Sequence, residues 1–135
     1  MDEGKKTKQI IFDTNFFFTP FQLRLDIITE SRLLVDGPSE IVTLTPVVSE
    51  LERLSTRGKG EQKVQAKLAL QMAQNVKIID APGRADGRAD EAIIAYARER
   101  PYAIIATNDS RLRKEARKEG VKTIFVRGRC KLAIE

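Results

Sequence analysis

Histidine does not occur among the 135 residues, and cysteine occurs once, at Cys130. The first absence excludes a Ser-His nucleophilic pair, an imidazole general base and any His-ligated metal. The second excludes an intrachain disulfide and a Cys-cluster metal site, leaving Cys130 as a stray thiol. No apolar run approaches the ~20 residues that cross a bilayer, so no membrane partner is expected. The opening MDEGKKTKQ lacks the apolar stretch of a secretion signal, which makes the cytoplasm the expected location. Carboxylates, lysine, tyrosine or hydroxyls are then the groups left to an enzyme. A metal would need oxygen ligands, which selects Mg2+ or Mn2+ over Zn2+.

What is present fits one soluble globular domain: 41% hydrophobic and 32% charged residues in a chain of single-domain length. The net charge of +5, from 24 Lys/Arg and 19 Asp/Glu, points only weakly to an anionic partner. Its distribution says more. From Arg111 to Lys131 there are nine basic residues against two glutamates.

Apolar runs and helical periodicities alternate along the chain. KQIIFD (8–13), EIVTLT (40–45), VKIID (76–80), AIIAT (103–107) and KTIFVRG (122–128) read as strands. Helical spacing runs from Pro20 to about Leu34, and a helix opens at Thr45-Pro46, read as N-cap plus Pro at the first helical position. Further helices run from Glu61 to Asn75, through DEAIIAYARER (90–100), and through DSRLRKEARKEG (109–120), the last ended by Gly120. Between them, APGRADGRAD (81–90) is a connection with a tandem GRAD, in which Asp86 fits a helix cap. Strands separated by helices imply an α/β fold: a mostly parallel central sheet of about five strands with helices on both faces. Residues 1–8 are expected to form a flexible N-terminal tail and 9–135 the domain. In such folds ligands bind beyond the carboxyl ends of the strands, where strand order reverses.

Asp13 ends the first strand and Asp109 follows the fourth, so both belong at that edge. Each also has a plain reading as a helix cap. Glu50, about 60° around the helix from Val47, borders the apolar stripe of VVSELERL, whereas Glu52 points to solvent. Asp90 shares a helix face with Ile94 and Ala97. A carboxylate beside buried surface is costly unless it is paired or metal-bound. An ion pair with a nearby arginine is the alternative for Glu50, and a first-turn acid favoured by the helix dipole is the alternative for Asp90. Acids packed into one opening repel each other, an arrangement that a divalent cation relieves. Such an ion suits phosphodiester cleavage.

The helix behind Asp109 supplies Arg111, Arg113, Lys114, Arg117 and Lys118, which can hold phosphates of a polyanion; a solvated helix face is the other reading. Thr14, Asn15, Thr107 and Asn108 flank the strand-end acids as groups that orient a carboxylate, a water or a phosphate, or that simply build turns. The basic residues Arg57, Lys59, Lys63 and Lys67 are read as a solvated face. Phe16, Phe17 and Phe18 are read as core, with a homodimer contact as the second reading.

FDTN, SELERL, ADEAI and TNDSRL, in this order and spacing, resemble the motifs of the PIN-domain nucleases. The resemblance implies that Asp13, Glu50, Asp90 and Asp109 are catalytic ligands of one or two Mg2+ or Mn2+ ions, and that the substrate is RNA, single-stranded or in loops. Within the family, DTNFFFTPFQLRLDI and the segment from Ala106 to Arg129 are most similar to small archaeal PIN proteins. Those resemble the endonucleases that process small-subunit ribosomal RNA, which makes a metal-dependent endoribonuclease of pre-rRNA the expected function. A toxin-type PIN ribonuclease with an antitoxin partner, or a non-catalytic RNA-binding module of ribosome assembly, are the alternatives. The chain departs from the processing enzymes in carrying Asp90-Glu91 where they have two adjacent aspartates. Glu91 points about 100° away and is not counted as a ligand.

Overall fold

The computed structural model describes residues 7–81 and 89–135. Of the expected tail, residues 1–6 lie outside the described residues, as do most of the tandem GRAD and the Asp86 cap. Two runs, IIF and AIIA, build the centre. They occupy β1 (Lys8–Phe12) and β4 (Ala103–Ala106), and every residue in those runs is buried. Continuous apolar runs are what strands covered on both faces require. Ile10 lies opposite Ile41 and Ile104, and Ile11 opposite Val42 and Ile105, so branched side chains stack across three strands.

Among the described residues six strands form one sheet, in the order β3 (Lys77–Ile79), β2 (Ser39–Leu44), β1, β4, β5 (Lys122–Arg127) and β6 (Lys131–Ile134). β2, β3 and β5 run parallel to β1 and β4. The expected parallel sheet with helices on both faces is present. It has one strand more than the sequence suggested: β6 (Lys131–Ile134) returns antiparallel to β5. The turn between them passes through Gly128 at φ 70°, a left-handed conformation that favours glycine.

The expected helix from Pro20 to Leu34 is broken into α1 (Thr19–Leu23) and α2 (Ile27–Leu33), preceded by a 3-10 turn at Thr14–Phe18. Arg24 adopts a left-handed conformation at φ 54°, ending α1. Asp26 then caps α2 by accepting the Thr29 N–H. The apolar spacing was the sum of two short helices.

α3 (Thr45–Arg57) and α4 (Glu61–Ala73) follow β2, α5 (Ala89–Arg98) precedes β4, and α6 (Ser110–Lys118) precedes β5. At the start of α3, Thr45 is already helical and Leu44 stands at the cap. The Thr45 hydroxyl instead accepts the Ala81 N–H at 3.1 Å, tying the helix to the segment after β3. α6 ends as expected, with Gly120 at φ 74°. No described helix is long and apolar enough to cross a membrane. Phe16 and Phe17 are fully buried, Phe12 meeting both edge-on at 4.9 and 5.4 Å, so the core reading of these two rings holds.

Candidate active site

Strand order reverses at β1, where the chain lays β2 and β3 on one side and β4 and β5 on the other. Asp13 leaves β1 at this switch point. Its N–H still donates to Ala106 O at 3.0 Å, so the strand pairing fixes the backbone beneath the carboxylate. The side chain is 5% exposed. Its Oδ1 accepts the Thr14 N–H at 2.8 Å, and its Oδ2 accepts the Thr107 hydroxyl at 2.7 Å and the Asn15 amide at 3.0 Å. Burial pushes the Asp13 carboxyl up from 3.8 to about 6, against the lowering effect of the Thr107 and Thr14 hydrogen bonds. The charges of Glu50 and Asp109 raise it further. A carboxylate with three donors and a raised pKa is one whose charge the protein alone does not fully compensate.

The other acids arrive from separate elements. Glu50, half-buried on the edge of the Val47–Leu51 stripe of α3, accepts the Thr14 hydroxyl at 2.8 Å. Arg53 approaches it at 3.8 Å, a partly exposed i,i+3 contact that realises the ion-pair alternative only loosely. Asp90 sits in the first turn of α5 and accepts the Glu91 N–H at 3.0 Å. Asp109 caps α6 through the Arg111 N–H at 2.9 Å. The capping reading thus holds for Asp13 and Asp109, and it leaves one acceptor site free on Asp13, at Oδ1, and more on Asp109.

All four carboxylates line one cleft of about 850 Å³ at the carboxyl edge of the sheet. Glu91 and Glu52 are exposed and stand apart from it. The donor set is entirely oxygen, which matches Mg2+ or Mn2+ in kind. Among the described residues no three acids stand close enough to grip one ion as they are placed.

The flanking polar residues divide. Thr107 and Asn15 hold Asp13, and Thr14 links Asp13 to Glu50. Asn108 does different work: its amide donates to Thr19 at 3.0 Å and its carbonyl accepts the Val126 N–H at 2.9 Å, pinning the β4–α6 loop to α1 and β5. Of the five basic residues of α6, none lines the cleft among the described residues. Arg111, Lys114 and Lys118 are exposed. Arg113 stacks 3.5 Å over Phe125, and Arg117 pairs with Glu135 at 2.6 Å. The sequence reading missed Phe18, Gln22, Glu61, Gln62 and Gln65 as cleft wall. For Gln62 and Gln65 a signal existed: they extend the buried Ala66–Ala69–Ala73 stripe of α4 by one turn toward its N-terminus.

An acid-lined cleft at the switch point of a mostly parallel α/β sheet is the arrangement that the PIN resemblance implies. A family model described as a PIN-like domain matches residues 10–129, and the chain belongs to that family. It is 36% identical over 121 residues to ribonuclease VapC4 of Methanocaldococcus jannaschii, covering 88% of this chain and 90% of that protein. It is 24% identical to ribonuclease VapC9 of Archaeoglobus fulgidus, covering 99% of this chain and 96% of that one. Among solved structures, the PIN domain endonuclease Utp24 superposes with a TM-score of 0.76 at 23% identity, covering 94% of this chain and 90% of that one.

Proposed function

We propose that the chain is a divalent-metal-dependent endoribonuclease that hydrolyses single-stranded or loop RNA in the cytoplasm. The observation that carries this reading is the convergence of Asp13, Glu50, Asp90 and Asp109 on one cleft around a buried, electrostatically strained carboxylate. Kinship with two proteins named as ribonucleases supports RNA as the substrate. The four acids would have to draw closer than they stand here to share Mg2+ or Mn2+, which when bound supplies an activated water and stabilises charge on the leaving oxygen. The chain's own contribution is positioning. Thr107 and Asn15 fix the Asp13 oxygens, Thr14 couples Asp13 to Glu50, and Asn108 locks the loop that carries Asp109.

Two cellular roles share this chemistry. Kinship with archaeal VapC ribonucleases favours the toxin-type reading, in which an antitoxin would be the partner. The processing of ribosomal RNA expected from the motifs rests here on the likeness to Utp24, which at 23% identity speaks for the fold. Purified protein should cut unstructured RNA in the presence of Mn2+ or Mg2+. EDTA and Asp13→Asn should each abolish cutting while the circular dichroism spectrum stays native. Cleavage that survives both overturns the mechanism. Sequencing the RNA ends produced in cells separates the two roles: cuts at defined pre-rRNA positions indicate processing, and cuts in other RNAs, relieved by a neighbouring gene product, indicate the toxin role.

A further inference from the structure

A second groove of about 520 Å³ lies between α6 and β5 and is lined from Ser110, the residue after Asp109. Arg113, Lys114, Arg117 and Lys122 line it with Glu135, so its walls carry four positive charges against one negative, a net of +3. Arg113 and Arg117 both reach Glu135 Oε1, at 3.7 and 2.6 Å, and Arg127 stands 4.0 Å from Oε2. Phe125 lies 3.5 Å beneath the Arg113 guanidinium and holds it flat, and the Arg113 Nε–H is buried without an acceptor. A guanidinium held flat on an aromatic ring, two more arginines beside the same carboxylate and two exposed lysines along the groove form a cationic surface suited to a phosphodiester oxygen. The carboxylate uses only part of that donor capacity, and most of the excess charge is left uncompensated.

We propose that this groove is a phosphate-binding site for the RNA strand, in which the Glu135 carboxylate stands in for a phosphate and competes with it. The geometry fits a strand that passes through the cleft. At a rise of ~1.5 Å per residue, α6 spans about 10 Å from Ser110 beside the acids to Arg117 in the groove, a distance that one continuous strand can follow. Arg113 and Arg117, which pair internally in the free protein, then become RNA ligands once Glu135 is displaced. The inference rests on the ribonuclease reading above for the nature of its ligand.

The test is binding of a fluorescent single-stranded RNA in EDTA, so that affinity is read without cleavage, across a salt series. Glu135→Gln keeps the β6 backbone pairing and removes the competitor. It should tighten binding about three- to tenfold and steepen the slope of log K against log salt by about 0.7 for each phosphate newly held. The paired variant Lys114→Gln/Lys122→Gln changes exposed side chains only. It should weaken binding at every RNA sequence and flatten the slope. Thermal melts accompany each variant. If Glu135→Gln is unstable, the lysine pair still decides. Unchanged affinity and slope in the lysine pair, or weaker binding in a stably folded Glu135→Gln, would overturn the proposal and leave Glu135 as a structural tie for β6. Metal-dependent cleavage lost with Asp13→Asn would stand unaffected by that result. A protein that neither binds nor cuts RNA would remove both readings.

Discussion

Replacing Asp13 by asparagine should remove activity and yet make the metal-free protein relatively more stable as pH rises. The folded carboxyl titrates near 6 because it is buried and faces Glu50 and Asp109, whereas the same group titrates at 3.8 when exposed. A folded pKa above the unfolded one means that the native state binds the proton more tightly. The stability this proton confers is fully present below pH 3.8 and is lost as pH rises through about 6. At about 1.4 kcal/mol for each unit of pKa, ionised Asp13 costs the native state about 3 kcal/mol at neutral pH. Asparagine cannot ionise, so it escapes this cost. It has a cost of its own, since the Thr107 hydroxyl and the Asn15 amide both donate to Oδ2, and an amide nitrogen placed there meets two donors.

That second cost is nearly independent of pH, so it cancels from the pH dependence of the difference. Between pH 4.5 and 7 the wild-type protein should lose about 2 kcal/mol relative to Asp13→Asn, roughly 6–10 °C in Tm for a chain of this length. Differential scanning fluorimetry of both proteins in EDTA measures it. Adding MnCl2 at pH 7 should raise the wild-type Tm and leave that of the variant nearly unmoved, because only the wild type keeps the central acid. Parallel Tm–pH curves, or a wild type that gains on the variant with rising pH, would refute the claim that Asp13 carries strained charge.

Two smaller perturbations probe how the acid is held. Asn108→Ala removes the side-chain bonds to Thr19 and Val126, leaving a loop end unpinned, and should cost about 1–3 kcal/mol in chemical denaturation. An unchanged unfolding midpoint would show that the loop holds itself. Thr107→Val takes away a hydrogen bond that lowers the Asp13 pKa, so the carboxyl should titrate higher. The acidic limb of the cleavage–pH profile then moves to higher pH, and a limb that stays in place would detach Thr107 from the reaction.

Much of this arrangement was legible in the sequence because the residues concerned carry their own local signal. The strands β1 and β4 are built on the apolar runs IIF and AIIA, and a stretch buried on both faces can be little else. Glu50 could be placed beside the cleft from the phase of Val47 and Leu51 alone, since α3 is regular through that span. The failures share a different cause. The single helix expected from Pro20 to Leu34 ended at Arg24, whose left-handed backbone has no residue-type signature of the kind glycine gives. β6 is one exposed and three half-buried residues at the sheet edge, too short and too mixed to announce itself.

That last omission mattered most for function. Without β6 there is no Glu135 beside α6, and Arg113 and Arg117 read as free charges waiting for a polyanion. Helix periodicity places a cation on a face, but its partner is set by strand pairing that brings residues 18 and more positions away into contact. Phosphate binding by those arginines therefore has to be reckoned as an exchange of anions, carboxylate for phosphate, in which only the difference between the two appears as affinity. A net charge of +5 says nothing about that difference. The groove's surplus of cations over the Glu135 side chain bears on it, and under the proposed reading that surplus would tip the exchange toward the strand.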